Sequence, residues 1–171
     1  MKINTLIPEK LLQDRIKELA RQIEKDYKNK EMTIVSILRG AVFFTVDLSK
    51  NIKNKVEFEF IEASSYENGF ESTGNIKINK DLSTSVEGKD ILIVEDIIDS
   101  GKTLKYLKEY IESKKANSVK ICTLLNKPER REVEVDVDYI GFDIPNKFVL
   151  GYGLDYKQYY RNLPYIGYVE E

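Results

Sequence analysis

The chain has 171 residues, 29 acidic against 27 basic, and a formal net charge of −2. One compact domain is the default at that length, and the slight acidic balance argues against a protein that works by neutralising nucleic-acid phosphates. A single cysteine excludes an internal disulfide and the lack of histidine excludes His-based triads and His-ligated zinc, so any metal must be held by oxygen ligands, which favours magnesium.

The N-terminal stretch MKINTLIPEKLLQD is too polar for a signal peptide, and no apolar run approaches the ~20 residues of a membrane span. A cytoplasmic protein with no membrane partner is expected. Residues 8–27 read as a helix, with Leu11, Leu12, Ile16, Leu19, Ala20 and Ile23 at helical spacing. MTIVSIL at 32–38 is a short continuous apolar run, typical of a strand covered on both faces. AVFFTVDLSKNI then has helical character, and 55–63 alternates as a strand. From Tyr66 to about Val86 the chain is rich in Gly, Ser, Thr, Asn and Lys. It reads as a long functional loop, with GNIKI as a possible hairpin arm. KDILIVED at 89–96 is a buried-type strand ending in a polar turn. A helix from about Thr103 to Ser113 and a strand at 118–126 follow. In the strand, Cys122 reads as a small core hydrophobe. VDYIGFDI, FVLGYG and YIGYV supply shorter β segments. Strands alternating with helices predict an α/β domain with a largely parallel sheet, without repeats or linkers.

The segment ILIVEDIIDSGKT, residues 91–103, carries the chemistry. Glu95 and Asp96 stand at the C-terminal end of a buried strand, where ligands bind in open α/β sheets. Asp99, Ser100, Gly101, Lys102 and Thr103 then turn into a helix. Amides at a helix start, with Gly allowing close approach and hydroxyls alongside, form a phosphate cradle. Two carboxylates for sugar hydroxyls beside an anion site suit a ribose 5-phosphate. A Walker A loop is excluded because Asp96 stands where its first Gly must be. A dinucleotide fingerprint from Gly151 and Gly153 fails because Tyr156 replaces its third Gly. The C-terminal tyrosines are expected to pack within the domain and its oligomer contacts; a stacking platform for single-stranded nucleic acid is the weaker reading.

That thirteen-residue segment resembles the 5-phosphoribosyl-1-pyrophosphate motif of the type I phosphoribosyltransferases. ILRG at 37–40, SSYENG, STGNIKI, DLSTSVEGKD, LLNKPERR, GFDIPNKFVLGYGLDY and YYRNLPYIG resemble the hypoxanthine-guanine branch. The resemblance runs from about residue 34 to 168. It implies a type I phosphoribosyltransferase fold: a central mostly parallel sheet flanked by helices, and a small hood subdomain from the N- and C-terminal segments. It also implies a purine-salvage enzyme that transfers phosphoribosyl from phosphoribosyl pyrophosphate to hypoxanthine or guanine, and a homodimer or homotetramer. Magnesium is the implied cofactor.

The implied roles follow residue by residue. Glu95 and Asp96 bind the ribose hydroxyls, and residues 99–103 bind the 5-phosphate. Leu38, Arg39 and Gly40 form a pyrophosphate loop that in this family often contains a non-proline cis peptide. Arg161 also holds pyrophosphate. Lys127 donates to the purine O6, Phe148 stacks on the base, and Val149 presents backbone groups to its edge. Glu95, Asp96 and Asp155 are the metal-binding carboxylates, Asp155 helping to hold a second magnesium through water. Ser65 and Tyr66 belong to a mobile lid over about residues 65–85. Asp99 is the candidate general base, since without histidine a carboxylate or lysine must take the proton released at the purine. A regulatory nucleic-acid binder on the same scaffold is the competing reading from another class.

Overall fold

A computed structural model describes residues 1–68 and 71–170, with residues 66–68 and 71–74 described by their backbone alone. A strand β1 (Ile3–Ile7) leads into α1 (Glu9–Asp26), then β2 (Met32–Ile37), α2 (Val42–Lys50) and β3 (Val56–Asn68). β4 (Glu71–Lys80), β5 (Asp90–Ile98), α3 (Lys102–Ser113) and β6 (Ser118–Asn126) follow. After a 3-10 turn at Pro128–Arg130 come β7 (Tyr139–Asp143), β8 (Val149–Leu150) and β9 (Ile166–Val169).

The main sheet has the order β4-β3-β2-β5-β6-β7, parallel throughout except for the antiparallel β3–β4 pair. β2 is buried along all six residues because β3 and β5 flank it and helices cover both its faces. Side chains alternate between two cores, as the two-residue period of a strand demands. Ile34, Leu92 and Val94 join α1 and α2 on one face. Val35, Ile91 and Ile93 join Leu104, Leu107 and Ile111 of α3 on the other. Each such fully buried side chain contributes about 1.5–3 kcal/mol relative to exposure. Cys122 is fully buried and free among them, and burial pushes its thiol up, so it is a core residue with little thiolate character.

α1 begins after Pro8 and buries Leu12, Ile16, Leu19, Ala20 and Ile23. Leu11, expected on that stripe, is 50% exposed because the sheet meets only the narrower face centred on Leu12. Three other expectations change. β1 is an additional strand, which pairs antiparallel with β9. With β8 it makes a separate three-stranded sheet, β1-β9-β8, built from the two ends of the chain. The stretch read as a long loop contains β4, in which the expected GNIKI hairpin arm falls, and β4 pairs antiparallel with β3 from Glu62–Lys80 to Asn68–Glu71. The cross-strand ladder satisfies backbone groups that composition alone assigned to a loop. Finally, β5 continues through the expected turn to Ile98, because Ile97 and Ile98 stay in register with Leu125 and Asn126 of β6.

The return from β4 is tied to the body by Glu59, a carboxylate only 4% exposed. It accepts hydrogen bonds from Thr84 N and Thr84 Oγ1, both at 2.7 Å, from Ser83 N at 3.1 Å and from Phe60 N at 3.3 Å. Burial opposes its charge, but the bonds from Thr84, Ser83 and Phe60 outweigh that and hold it below its ordinary range. A lowered carboxyl stabilises the fold above its unfolded pKa of about 4.3 and loses that contribution as pH falls through the folded value. Glu59→Gln is expected to cost about 1–3 kcal/mol at pH 7, or several degrees of Tm. The gap between wild type and variant should narrow below about pH 4. Melting curves at pH 7 and pH 3.5 check this; an equal gap at both pH values would show that the ionised form is not what matters.

Candidate active site

The carboxyl ends of β2, β5 and β6 meet along one edge of the sheet, where the chain from β2 departs toward β3 on one side and β5 lies on the other. A switch of this kind opens a crevice for ligands. Here a cavity of about 360 Å³ is lined by Leu38, Gly40, Ala63, Glu95, Asp96, Asp99, Ser100, Gly101 and Thr103, among others. A cavity of about 520 Å³ opens at the opposite end of the strands, lined by residues including Lys30, Lys55, Glu57, Lys89 and Asp90. Its charges pair among themselves, Lys55 with Glu31 at 2.8 Å and Lys89 with Glu57 at 2.9 Å. None of the sequence-predicted site residues lines it.

In the first cavity, the Leu38–Arg39 peptide is cis, as the resemblance implied for that loop. Gly40 follows with no room for a side chain: a Cβ there would lie 1.7 Å from Asp96 Oδ2. Glu95 is buried and its Oε1 accepts from Asp96 N at 2.9 Å, while Asp96 Oδ1 accepts from Ile97 N at 2.7 Å. Burial, the charge of Asp96 and the Asp96 side-chain hydrogen bond push the Glu95 carboxyl well above the usual carboxylate range. Among the described residues neither acid pairs with Lys or Arg. Adjacent carboxylates, one desolvated and both without a cation, suit sugar hydroxyl donors or a hard divalent ion.

Among the described residues no three His, Cys, Asp or Glu side chains converge as a ready-made metal cluster. The three carboxylates expected at metal therefore do not form one cage: Glu95 and Asp96 sit at the end of β5, and Asp155 sits beside Arg161. The chemistry permits this, since magnesium keeps several waters and is held by one or two carboxylates plus substrate phosphates.

The turn at residues 99–103 is braced from outside. Gly101 takes φ 85 as the N-cap of α3, with no side-chain cap, so the first-turn amides have no partner within the helix. Ser100 O accepts from Glu132 N at 2.9 Å and Val133 N at 3.2 Å. Arg131 Nε donates to Asp99 O at 3.1 Å, and Arg131 Nη2 donates to Asn126 Oδ1. Lys102 differs from its neighbours. Its ammonium is bound to Glu132 at 2.7 Å and it does not line the cavity. It contributes backbone only, its N–H donating to Ser100 Oγ at 3.3 Å.

Lys127, at the end of β6, is 9% exposed. Its N–H donates to Ile98 O at 3.0 Å, and its Nζ lies 3.8 Å from Asp99 Oδ1. The lysine and the candidate base are thus brought side by side from positions 28 apart.

Arg39, Asp155 and Arg161 form a second group. Arg161 Nη1 donates to Gly153 O at 2.7 Å and its Nη2 lies 3.4 Å from Asp155 Oδ1. Gly153, at φ 98, joins this group to the first, because a Cβ there would lie 2.0 Å from Gly40 O. Phe148 is 53% exposed, and its ring meets Tyr156 in a T-shaped contact with centroids 5.7 Å apart. Val149 is buried and pairs with Tyr168. Ser65 stands on β3 two residues beyond Ala63, on the same strand face as that cavity residue. The Tyr66 side chain lies outside the described residues. Of the C-terminal tyrosines, Tyr152 is buried as expected, whereas Tyr159 is 73% exposed.

Sequence reasoning missed Arg131, Gly153 and Gln158. The first lay within LLNKPERR and the second was weighed only as a dinucleotide glycine. Nothing in the local sequence singles out Gln158.

Comparison with known proteins agrees with this geometry. Residues 5–157 match the phosphoribosyl transferase domain family. The bifunctional protein TilS/HprT of Listeria monocytogenes is 52% identical over 95% of this chain, and the chain spans only 25% of that protein's length. The hypoxanthine-guanine phosphoribosyltransferase of Streptococcus pyogenes is 48% identical over 92% of this chain and 87% of its own. The crystal structure of a hypoxanthine-guanine phosphoribosyltransferase from Bacillus anthracis superposes with a TM-score of 0.95 at 48% identity, covering 99% of this chain and 100% of that one. The chain has the type I phosphoribosyltransferase fold and belongs to the hypoxanthine-guanine phosphoribosyltransferase family.

Proposed function

We propose that the protein is a magnesium-dependent purine-salvage enzyme that transfers the 5-phosphoribosyl group from phosphoribosyl pyrophosphate to hypoxanthine or guanine, giving IMP or GMP and pyrophosphate. The observation that carries this reading is the approach of Lys127 to Asp99, 3.8 Å apart, at the edge of the cavity holding Glu95, Asp96 and the phosphate turn. A donor for a purine O6, a proton acceptor and a ribose-phosphate site then lie in sequence along one crevice.

In this reading Glu95 and Asp96 accept the ribose hydroxyls, and Ser100, Gly101, Thr103 and the first-turn amides hold the 5-phosphate. The purine N9 forms its bond to C1′ as the C1′–oxygen bond to pyrophosphate breaks, and the proton at N7 passes to Asp99. Arg39, Arg161 and the amides of the Leu38–Gly40 loop stabilise charge developing on the leaving pyrophosphate. Glu95 and Asp96 would hold magnesium and Asp155 would help hold a second through water; the metal would supply neutralisation of charge on the pyrophosphate. Lys127 fixes the purine O6, and Phe148 with the Val149 backbone fixes the base beneath the small terminal sheet, which serves as the hood. Lys127 disfavours adenine, whose 6-amino group would face a donor with a donor. We read the enzyme as a cytoplasmic homodimer or homotetramer. The exposed apolar Phe43 and Val46 of α2 support self-association, and among the described residues no helix is long and apolar enough to cross a membrane. The deciding assay is purified protein with magnesium, phosphoribosyl pyrophosphate and each purine in turn. Nucleotide from hypoxanthine or guanine is expected, and none from either would sink the reading.

The β3–β4 hairpin is the lid in this reading. Water would hydrolyse a sugar cation and screen the charges that stabilise it, so closure over the reaction is needed. The Glu59 bonds to Ser83 and Thr84 hold the return segment to the body. We therefore place the moving part in the hairpin arms, short of the residue-85 limit drawn from composition. Limited proteolysis should cut first between Tyr66 and Lys80. Magnesium, phosphoribosyl pyrophosphate and a non-reactive purine analogue together should slow that cut several-fold. Cleavage at the same rate with and without ligands would exclude a lid.

A further inference from the structure

Two guanidinium groups meet at one oxygen. Arg39 Nη1 donates to Gln158 Oε1 at 3.2 Å, and Arg161 Nη2 donates to the same oxygen at 3.1 Å. Among the described residues this is the Arg39 side chain's one hydrogen bond, and it crosses 119 positions of sequence. Gln158 is itself held in place. Its backbone N–H donates to Asp155 Oδ2 at 2.8 Å, and it sits at φ 72 between Lys157 at φ 50 and the Tyr156–Tyr159 bridge. Consecutive residues at positive φ are uncommon outside glycine and persist only where surrounding bonds determine them.

Two like charges drawn to one point repel, and a neutral amide oxygen offsets that only in part. An anionic oxygen at the same point would accept two charge-assisted bonds, each roughly twice as strong as those to a neutral acceptor. The amide is therefore a stand-in: strong enough to keep both guanidiniums convergent, weak enough to yield to an anion.

We propose that Gln158 is a positioning residue, whose side-chain amide holds Arg39 and Arg161 aimed at a single oxygen and so preorganises the pyrophosphate subsite. The proposal rests on the phosphoribosyltransferase reading above, in which both arginines hold pyrophosphate. Preorganisation lowers the cost of ordering long side chains when ligand binds. Affinity for pyrophosphate and phosphoribosyl pyrophosphate thus depends on the Gln158 acceptor. Purine binding, set by Lys127 and Phe148, does not.

The test compares Gln158→Leu, which keeps bulk and removes the acceptor, with Gln158→Glu, whose carboxylate holds both guanidiniums too tightly to yield to an anion. Pyrophosphate binding is measured by titration calorimetry in magnesium buffer, and KM for phosphoribosyl pyrophosphate and for hypoxanthine by steady-state assay. Gln158→Leu should raise the pyrophosphate Kd and the KM for phosphoribosyl pyrophosphate about three- to tenfold, the loss of one or two modest hydrogen bonds. Its kcat and hypoxanthine KM should stay within about twofold, and Gln158→Glu should weaken pyrophosphate binding at least as much as Gln158→Leu, because a charge-assisted acceptor competes with the anion. Unchanged or tighter pyrophosphate binding in Gln158→Leu overturns the proposal. So does an equal rise in hypoxanthine KM, which marks general loop disruption, or a Gln158→Glu variant that binds pyrophosphate as tightly as wild type. Wild-type protein that neither binds pyrophosphate nor makes nucleotide would instead overturn the functional reading itself, a result distinct from the variants' behaviour.

Discussion

Asp99→Asn is expected to lower kcat by roughly 10²–10⁴, with affinity for phosphoribosyl pyrophosphate within a few-fold of wild type. The substitution keeps the size and turn geometry and removes the basicity. Asp99 lies between the strand that presents Glu95 and Asp96 and the start of α3, and its carbonyl is pinned by Arg131 Nε at 3.1 Å. That backbone bond survives the change, so the phosphate turn should keep its shape and sugar-phosphate binding should persist. The lost function is acceptance of a proton from the purine as N9 bonds to C1′. Lys127 Nζ lies 3.8 Å away. Steady-state kinetics with hypoxanthine, alongside a direct binding measurement for phosphoribosyl pyrophosphate, check the split. Turnover near wild type would remove Asp99 from the mechanism.

Lys127→Ala should cut kcat/KM for hypoxanthine and guanine about ten- to a hundredfold, the worth of one charge-assisted hydrogen bond to O6 at about 1.5–3 kcal/mol. The ammonium is nearly buried, so its bond to the base is made away from competing water, and truncation leaves Asp99 without its nearby cation. The loss should fall on the purine side, with the KM for phosphoribosyl pyrophosphate changed much less. Unaltered hypoxanthine and guanine kinetics would show that another residue reads the 6-position.

The motif residues were readable in advance because their chemistry is local. Glu95, Asp96 and the 99–103 turn lie within nine consecutive positions, at a strand end followed by a helix start, and that order implies a ribose-phosphate site before any packing is known. Gly40 was readable only through resemblance. Its necessity is a tertiary fact, the contact with Asp96 from another strand. Arg131 and Gln158 are polar residues in polar surroundings, and their work is done on groups 32 and 119 positions away. Composition along 66–86 suggested a loop, yet β4 forms there because β3 offers an unpaired edge. Ladder hydrogen bonds and alternate side-chain burial override weak local propensity.

Sequence alone determined the α/β class, the parallel core strands and the segment whose residue order suits a ribose phosphate. Those properties depend on residue order over windows of five to fifteen positions, through strand and helix periodicity and through the helix-start geometry that binds phosphate. Tertiary structure decided the rest. It closed the two chain ends into the β1-β9-β8 sheet and set Lys127 beside Asp99. It also packed Gly153 against Gly40 and brought Arg39 and Arg161 to a common oxygen on Gln158. Each of these joins groups far apart in the chain, and their approach is set by how the sheet twists and which faces its helices bury, information that no local window of residues contains.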